Sequence, residues 1–306
     1  MIHIVVNDKS RTGKGGIAWK AVKESLDNQG IEYKVYKTEY AGHATDIARQ
    51  LCETIKDEEK VVIIGGDGTI NEFINGITDF DKIQLGLIPS GSGNDFARGL
   101  GISGKPQDLM NKYLDMDSYD RIDVGSITVV DSGMERKFAI SSGLGLDAIV
   151  CKKANASKLK KQLNKIGLGQ VTYIVLTVIN LFTMETMDVE IEYDGEKKSV
   201  SKMIFSAAMN FYAEGGGVPM APKADVKDGL LSVCCVHGIA KWKTFFLLPF
   251  LVMAKHEGIK GFEIINSRYF HLKAKGPMIL HTDGEYIADV REILYECLPE
   301  KLKLLI

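Results

Sequence analysis

The chain has 306 residues, 45% hydrophobic and 25% charged, with a formal charge of −2 at neutral pH. That length exceeds one ordinary core and suits two domains. The near-neutral balance gives no global attraction to nucleic acid, so affinity for any anionic surface has to come from a local patch. The cysteines Cys52, Cys151, Cys234, Cys235 and Cys297 form no C-x-x-C pair, which argues against zinc and disulfide frameworks and fits reduced cytosolic thiols.

The opening MIHIVVN predicts a buried strand over 2–6 and lacks the pattern of a signal peptide. Strand and helix signals then alternate. A helix is predicted over 18–29, ended by Gly30, then a strand over 32–37 and a helix over 45–55. A short buried strand follows over 61–64, a helix over 69–76, another buried strand over 85–88 and a helix from 95. This is the pattern of a parallel sheet with covering helices. Past Asp123 short strand-like runs dominate, at 137–142, 188–193, 201–210, 230–236, 264–273 and 278–281, with Asp194-Gly195 as a hairpin turn. Helical stretches interrupt them at 158–184 and 241–256. The expected architecture is a nucleotide-binding α/β domain with a parallel sheet over 1–125. A mainly β, sandwich-like domain follows over 126–306, its last strand or helix able to pack back on the first, with the active site between the two. Residues 166–184 carry no Asp, Glu, Lys, Arg or His. Gly167, Gly169, Gln170, Thr172, Thr177, Asn180 and Thr183 make them too polar for a good membrane span, and a helix packed at a domain boundary is expected.

The strongest chemical signal is Gly65-Gly66-Asp67-Gly68-Thr69-Ile70-Asn71-Glu72, where a buried strand runs into glycines and then a helix. Glycine lets the backbone approach a ligand closely, and a helix N-terminus offers N–H groups and a positive dipole end to phosphate. Thr69 and Glu72 fit a capping box. The layout repeats in Pro89-Ser90-Gly91-Ser92-Gly93-Asn94-Asp95-Phe96-Ala97-Arg98, with Ser92 and Asp95 as a second box. Parallel neighbouring strands bring both loops to the carboxyl edge of the sheet, where ligands bind in open α/β folds. The competing view is a pair of tight turns with no ligand. Asp67 and Asp95 repel phosphate unless a magnesium ion mediates. The first loop is not G-x-G-x-x-G. Arg11-Thr12-Gly13-Lys14-Gly15 is not a P-loop, although it can serve as a basic loop on the phosphate side.

These residues resemble the diacylglycerol kinase catalytic-domain family, soluble bacterial lipid kinases similar to sphingosine and ceramide kinases. The resemblance continues through Arg121-Ile-Asp123-Val-Gly125, Gly143-Leu-Gly145-Leu-Asp147, Ala221-Pro222-Lys-Ala-Asp225-Val-Lys-Asp228-Gly229-Leu230 and Thr282-Asp283-Gly284-Glu285, in order along nearly the whole chain. It implies a magnesium-dependent, ATP-using kinase acting on the hydroxyl of diacylglycerol or a related lipid. It implies that Asn7, Ser10, Thr38, Gly66, Asp67, Gly68, Thr69, Ile70, Asn71, Glu72 and Ser92 line the ATP site. Asp8 stands where the family usually has proline, which weakens the carry-over to Asn7 and Ser10. The resemblance further implies a structural magnesium held by Asp228 with the carbonyls of Asp225 and Leu230, with Asp95 reaching a metal through water. Glu285 is implied as general base beside Asp283, and Asp67 competes for that role. A carboxylate within hydrogen-bond reach can take the hydroxyl proton as phosphate arrives. On the residues alone, Asp283 and Glu285 also fit a hairpin turn with two solvated acids, and Asp225 to Gly229 a plain turn.

Lys152, Lys153, Lys158, Lys160, Lys161 and Lys165 precede an apolar helix and contain no acid between them, so they can dock on anionic headgroups or form a solvated helix face. His237, His256 and His281 have no partner spacing and read as structural. The first glycine loop is also similar to that of NAD kinases. A soluble-substrate kinase and an inactive nucleotide- or membrane-binding module therefore stand as alternatives. The expected location is cytoplasmic with peripheral membrane contact. Oligomeric state stays open, a homodimer among the options.

Overall fold

The computed structural model describes residues 1–156 and 169–306. It divides the chain into two compact units, Met1–Val124 with Pro299–Ile306, and Gly125–Leu298. The first contains β1 (Ile2–Val6), α1 (Ser10–Gln29), β2 (Tyr33–Lys37), α2 (His43–Thr54), β3 (Glu59–Gly65), α3 (Asp67–Gly76), β4 (Ile83–Pro89), α4 (Asp95–Gly99) and α5 (Pro106–Asp115). The strands are parallel in the order β4-β3-β1-β2. All of β1 is buried, as are Val61 to Gly65 of β3, which is why both read as unbroken apolar runs. One face packs on α1 and α5 through Trp19, Val22, Leu26, Met110 and Tyr113. On α3, Gly76 faces α2, where a Cβ would collide with the Thr45 carbonyl, so glycine there lets the two helices close. The last residues of the chain return to this unit: Lys303 and Leu304 run parallel to β4. The nearly buried Lys303 ammonium sits 2.5 Å from Glu58 and 2.8 Å from the Asp81 carbonyl.

The first helix starts earlier than the predicted 18–29. Its opening turn is broken by left-handed backbone at Arg11 (φ 41°), Thr12 (φ 57°) and Gly13 (φ 98°), and this break is what the glycine-rich stretch hides from periodicity.

The chain passes into the second unit along β5 (Asp120–Val129). That unit holds β6 (Met134–Phe138), β7 (Ser141–Gly145), α6 (Leu146–Ala156), α7 (Gly169–Thr183), β8 (Met187–Tyr193), β9 (Glu196–Met203), β10 (Phe205–Met209), β11 (Leu231–Val236), α8 (Lys241–Val252), β12 (Phe262–Ser267), β13 (Tyr269–Thr282) and the first part of β14 (Glu285–Leu304). Its strands pair antiparallel in the order β12-β11-β10-β7-β13, with β8 and β14 also on β13. A core containing Phe138, Phe270, Leu280 and Tyr295 fills it. The β8–β9 hairpin turns on Asp194 (φ 48°) and Gly195 (φ 80°), the two positive φ angles that Asp-Gly predicts.

Three predicted strands are each split in two. The run 137–142 breaks at Ala139 and Ile140, 201–210 at Ile204, and 264–273 at Arg268. At the first break the N–H groups of Ala139 and Ile140 go to the Asp283 carboxylate instead of a strand partner. Of the predicted helix over 158–184, the part from Gly169 is α7. It lies within the second unit and carries an exposed apolar face. Among the described residues no helix is long and apolar enough to cross a membrane.

Candidate active site

Register places the first cluster. Val6 is level with Lys37 and Ile64, and Gly65 with Pro89, so Asn7, Thr38, Gly66 and Ser90 leave the strands on one carboxyl edge. Backbone bonds continue past the strand ends, from Asn7 N–H to Ile64 (2.9 Å), Thr38 N–H to Val6 (2.9 Å) and Ser90 N–H to Gly65 (2.8 Å). Side chains tie the edge together. The Asn7 amide donates to the Thr69 hydroxyl at 3.1 Å, and the Ser10 and Ser90 hydroxyls lie 2.7 Å apart.

The two glycine loops touch back to back. A Cβ on Gly66 would lie 2.8 Å from the Gly91 Cα, and one on Gly91 2.7 Å from the Gly66 Cα, closer than real Cβ contacts come. Glycine is therefore needed at both positions for the loops to meet. Asp67 fastens them: its carboxylate accepts the N–H groups of Asp95 and Phe96, both at 3.1 Å. Those N–H groups open α4, so Asp67 caps that helix from the neighbouring loop.

This corrects both capping boxes. The α3 helix begins at Asp67 with Gly66 as its cap residue, so Thr69 lies inside it. The Glu72 carboxylate instead takes the Ala44 N–H of α2 at 3.3 Å. Asn94, in left-handed backbone (φ 52°), holds the cap position of α4 where Ser92 was expected, without a side-chain cap bond of its own, and the Asp95 carboxylate is engaged by Arg98. The predicted nucleotide residues thus fall into two groups. Asn7, Ser10, Thr38, Gly66, Asp67, Gly68 and the exposed Ser92 lie at or beside the edge. Thr69, Ile70 and Asn71 are buried within α3, and Glu72 turns to α2.

The second cluster is the Asp283-Gly284-Glu285 turn joining β13 to β14. Asp283 (φ 47°) and Gly284 (φ 81°) form a two-residue hairpin turn. The Asp283 carboxylate accepts three backbone N–H groups: Ala139 (2.9 Å) on one oxygen, Ile140 (2.8 Å) and Ser141 (3.0 Å) on the other. Glu285 is exposed. The two acids of the turn are therefore different in kind, one an anchor and the other presented to solvent.

Sequence reasoning missed what holds this turn from beneath. His281 is fully buried. Its Nδ1 accepts the Gly284 N–H at 3.2 Å, and its Nε2 faces the Asp147 carboxylate at 2.5 Å. A Cβ on Gly143 would collide with that carboxylate and lie 2.6 Å from the ring, so the Gly143-Leu-Gly145-Leu-Asp147 motif is what makes room for the pair. Glu214, also buried, is hydrogen-bonded by the Ser141 hydroxyl. The available signal was a glycine and an acid on one motif and a histidine two residues before another. Their pairing across 134 positions gives no local pattern.

Burial disfavours charge on the His281 ring, but the Asp147 carboxylate, with Glu214 and Asp283 beyond it, raises its pKa to about 9. A second proton would sit on Nδ1 against the Gly284 N–H, so that contact gives way when the ring is charged. Because the folded value lies above the unfolded one, the pair's stabilisation is complete below about pH 6.5 and disappears as pH rises through about 9. Urea melts of wild type and His281→Gln should therefore differ most at pH 6 and converge by pH 10. A gap that widens with pH would contradict this. Gly143→Ala should destabilise by about 1–3 kcal/mol through overpacking, read from the same melts, and a neutral effect would show that the pair is not tightly enclosed.

Asp147, Cys151 and His281 also bring three potential metal donors within 4.8 Å of one another. The Nε2 proton of His281 points to Asp147 whether the ring is neutral or charged, and Cys151 reaches the same carboxylate, so the trio reads as a hydrogen-bonded network. The predicted magnesium turn fits a hard cation better. Asp225 accepts the Lys227 N–H (3.0 Å) and Asp228 the Leu230 N–H (2.9 Å), so two carboxylates are set on one exposed loop among backbone carbonyls. Of the predicted docking lysines, Lys152 lies 3.7 Å from the Tyr286 ring centroid and 3.7 Å from Asp289, and Lys153 lies 2.5 Å from the Asn180 amide oxygen. Lys158, Lys160, Lys161 and Lys165 lie outside the described residues.

Comparison with known proteins matches these features to a family. Residues 1–127 match the diacylglycerol kinase catalytic domain, and residues 140–306 match the YegS C-terminal NAD kinase beta sandwich-like domain. The diacylglycerol kinase of Bacillus subtilis (strain 168) is 29% identical over 87% of this chain and 83% of its own. That of Mycobacterium tuberculosis (strain ATCC 25618 / H37Rv) is 25% identical over 80% of this chain and 76% of its own. A solved diacylglycerol kinase structure from Bacillus anthracis str. Sterne shares the fold with a TM-score of 0.70 at 19% identity, covering 99% of this chain and 96% of that one. With an α/β catalytic domain followed by a β-sandwich domain, the chain belongs to the diacylglycerol kinase catalytic-domain family.

Proposed function

We propose that this chain moves the γ-phosphate of ATP onto the hydroxyl of a lipid, diacylglycerol or a close relative. The observation that carries the reading is the asymmetry of the Asp283-Gly284-Glu285 turn. Three backbone N–H groups fix Asp283, and Glu285, two residues on, is exposed where an acceptor can reach it. A carboxylate on a rigid turn suits a general base. Asp67 suits that role less well, because its oxygens already receive two helix N–H groups.

In this reading the nucleotide phosphates approach the Gly66-Asp67-Gly68 backbone at the start of α3, where the helix dipole favours negative charge. Asn7, Ser10 and Thr38 frame the same edge. Bound magnesium supplies charge neutralisation on the phosphates and, at Asp225, Asp228 and the Leu230 carbonyl, a structural tie. Glu285 takes the proton from the lipid hydroxyl as its oxygen meets the γ-phosphorus and the bond from that phosphorus to the bridging oxygen breaks, releasing ADP, and Asp283 keeps the turn in place. The chain's own contribution is positioning and proton removal, as in phosphoryl transfer generally.

Radiolabelled ATP offered with dispersed diacylglycerol, monoacylglycerol, ceramide, sphingosine or phosphatidylglycerol, and separately with NAD and no lipid, tests this. Label in a lipid product supports it. Label only on NAD would move the assignment to a soluble-substrate kinase, and no label on any acceptor would favour an inactive binding module.

A further inference from the structure

The helix α8 carries Trp242, Phe245, Phe246 and Phe250, with Met253 just past its end, at helical i, i+3, i+4 spacing, the stripe that ordinarily faces a core. Here the stripe faces outward: Trp242 is 57% exposed and Phe246 65%, while the buried positions of the helix are Thr244 and Leu251. On α7 the same holds for Val175, Ile179 and Phe182, the last two 52% and 49% exposed. The stripes join, with the Phe182 and Phe245 rings 5.9 Å apart between centroids and Phe245 and Phe246 5.3 Å apart. Lys241 ties the helices, its ammonium reaching the carbonyls of Phe182 and Met184 at the end of α7. An exposed contiguous apolar face of this kind marks an interaction surface.

We propose that the joined outer faces of α7 and α8 are the surface by which this protein docks on an anionic lipid bilayer. Charge and composition select that occupant. The two helices contain no acid, and their charged residues are Lys241 and Lys243, with Lys255 following. Glu185 and Glu257 lie outside both helices, and Glu257 is held by Lys223 at 2.5 Å. Tryptophan and phenylalanine beside lysines are the residues that settle at the headgroup boundary, rings in the acyl region and ammonium groups among phosphates. A soluble protein partner of ordinary composition would need acids or hydrogen-bonding groups to match, and this face offers almost none. The proposal places the lipid-kinase reading at its membrane, and it stands or fails separately from that reading.

The test is sedimentation of the full chain, without ATP or diacylglycerol, with vesicles of phosphatidylcholine alone or containing phosphatidylglycerol. Binding should favour the anionic vesicles. Trp242→Ser with Phe246→Ser should reduce it at least about tenfold, from the apolar area withdrawn. Both residues are exposed, so the melting temperature and turnover on detergent-dispersed lipid should not change. Emission gives a second readout. Of the two tryptophans, Trp19 is only 9% exposed, so a blue shift on adding vesicles reports Trp242. Undiminished vesicle binding by the double variant, or no blue shift, would overturn the proposal. So would a wild-type dimer in sedimentation velocity that the double variant abolishes, since a second copy would then be the occupant. Normal docking with no turnover on any lipid would instead remove the kinase reading and leave the docking surface standing.

Discussion

Glu285→Gln should lower the rate of phosphoryl transfer by about 10²–10⁴-fold, the usual share of general-base catalysis. The amide keeps the size of the side chain but cannot accept the proton. The residue is exposed on a turn whose shape depends on the Asp283 anchor, which the substitution leaves intact. ATP affinity should be nearly unchanged, because the nucleotide edge is built from the strands of the other unit. Single-turnover rates and nucleotide binding, measured on the same preparation, check this. A variant that keeps most of its rate would shift the base to Asp67. Asp283→Asn makes a useful control: its amide nitrogen cannot accept, so at least one of the three N–H contacts is lost, and it should lower stability as well as rate.

Asp67→Asn should nearly abolish turnover and also lower stability by about 1–3 kcal/mol. One oxygen of the carboxylate becomes an amide nitrogen, which cannot accept the Asp95 or Phe96 N–H and would face a donor with a donor. The second loop then loses its fastening, and the close approach of Gly66 and Gly91 loosens with it. Urea melts and ATP binding distinguish this from a purely chemical role. Unchanged stability together with lost turnover would mean that the carboxylate acts on the reaction and that its bonds to α4 contribute little. Wild-type turnover would remove the phosphate-loop reading of this edge.

The parallel sheet was legible because β1, β3 and β4 are buried on both faces and are written as plain apolar runs between glycine turns. The α/β and β-rich fold classes follow from that alternation and its end. The hairpin at Asp194-Gly195 was legible because positive φ at two positions demands such residues. Legibility ended where partners are distant in sequence. Thr69 and Glu72 match a local capping box, yet Glu72 bonds the start of α2, and α4 is capped by Asp67 from the neighbouring loop. The run at 137–142 reads as one strand because nothing nearby shows that Asp283 will draw away two of its N–H groups. His281 reads as an isolated histidine for the same reason. The α8 stripe misleads in the opposite sense: its period is that of a buried helix, but periodicity does not say whether the apolar medium is protein or lipid.

Transfer of phosphate from ATP to a lipid hydroxyl can be read by incubating the full chain with γ-labelled ATP, magnesium and detergent-dispersed diacylglycerol and counting label in the organic phase, with Glu285→Gln alongside. An organic-soluble phosphorylated lipid should accumulate with wild type and fall by at least about a hundredfold with the variant. Label that stays in the aqueous phase with every lipid offered, or equal transfer by both proteins, would contradict it.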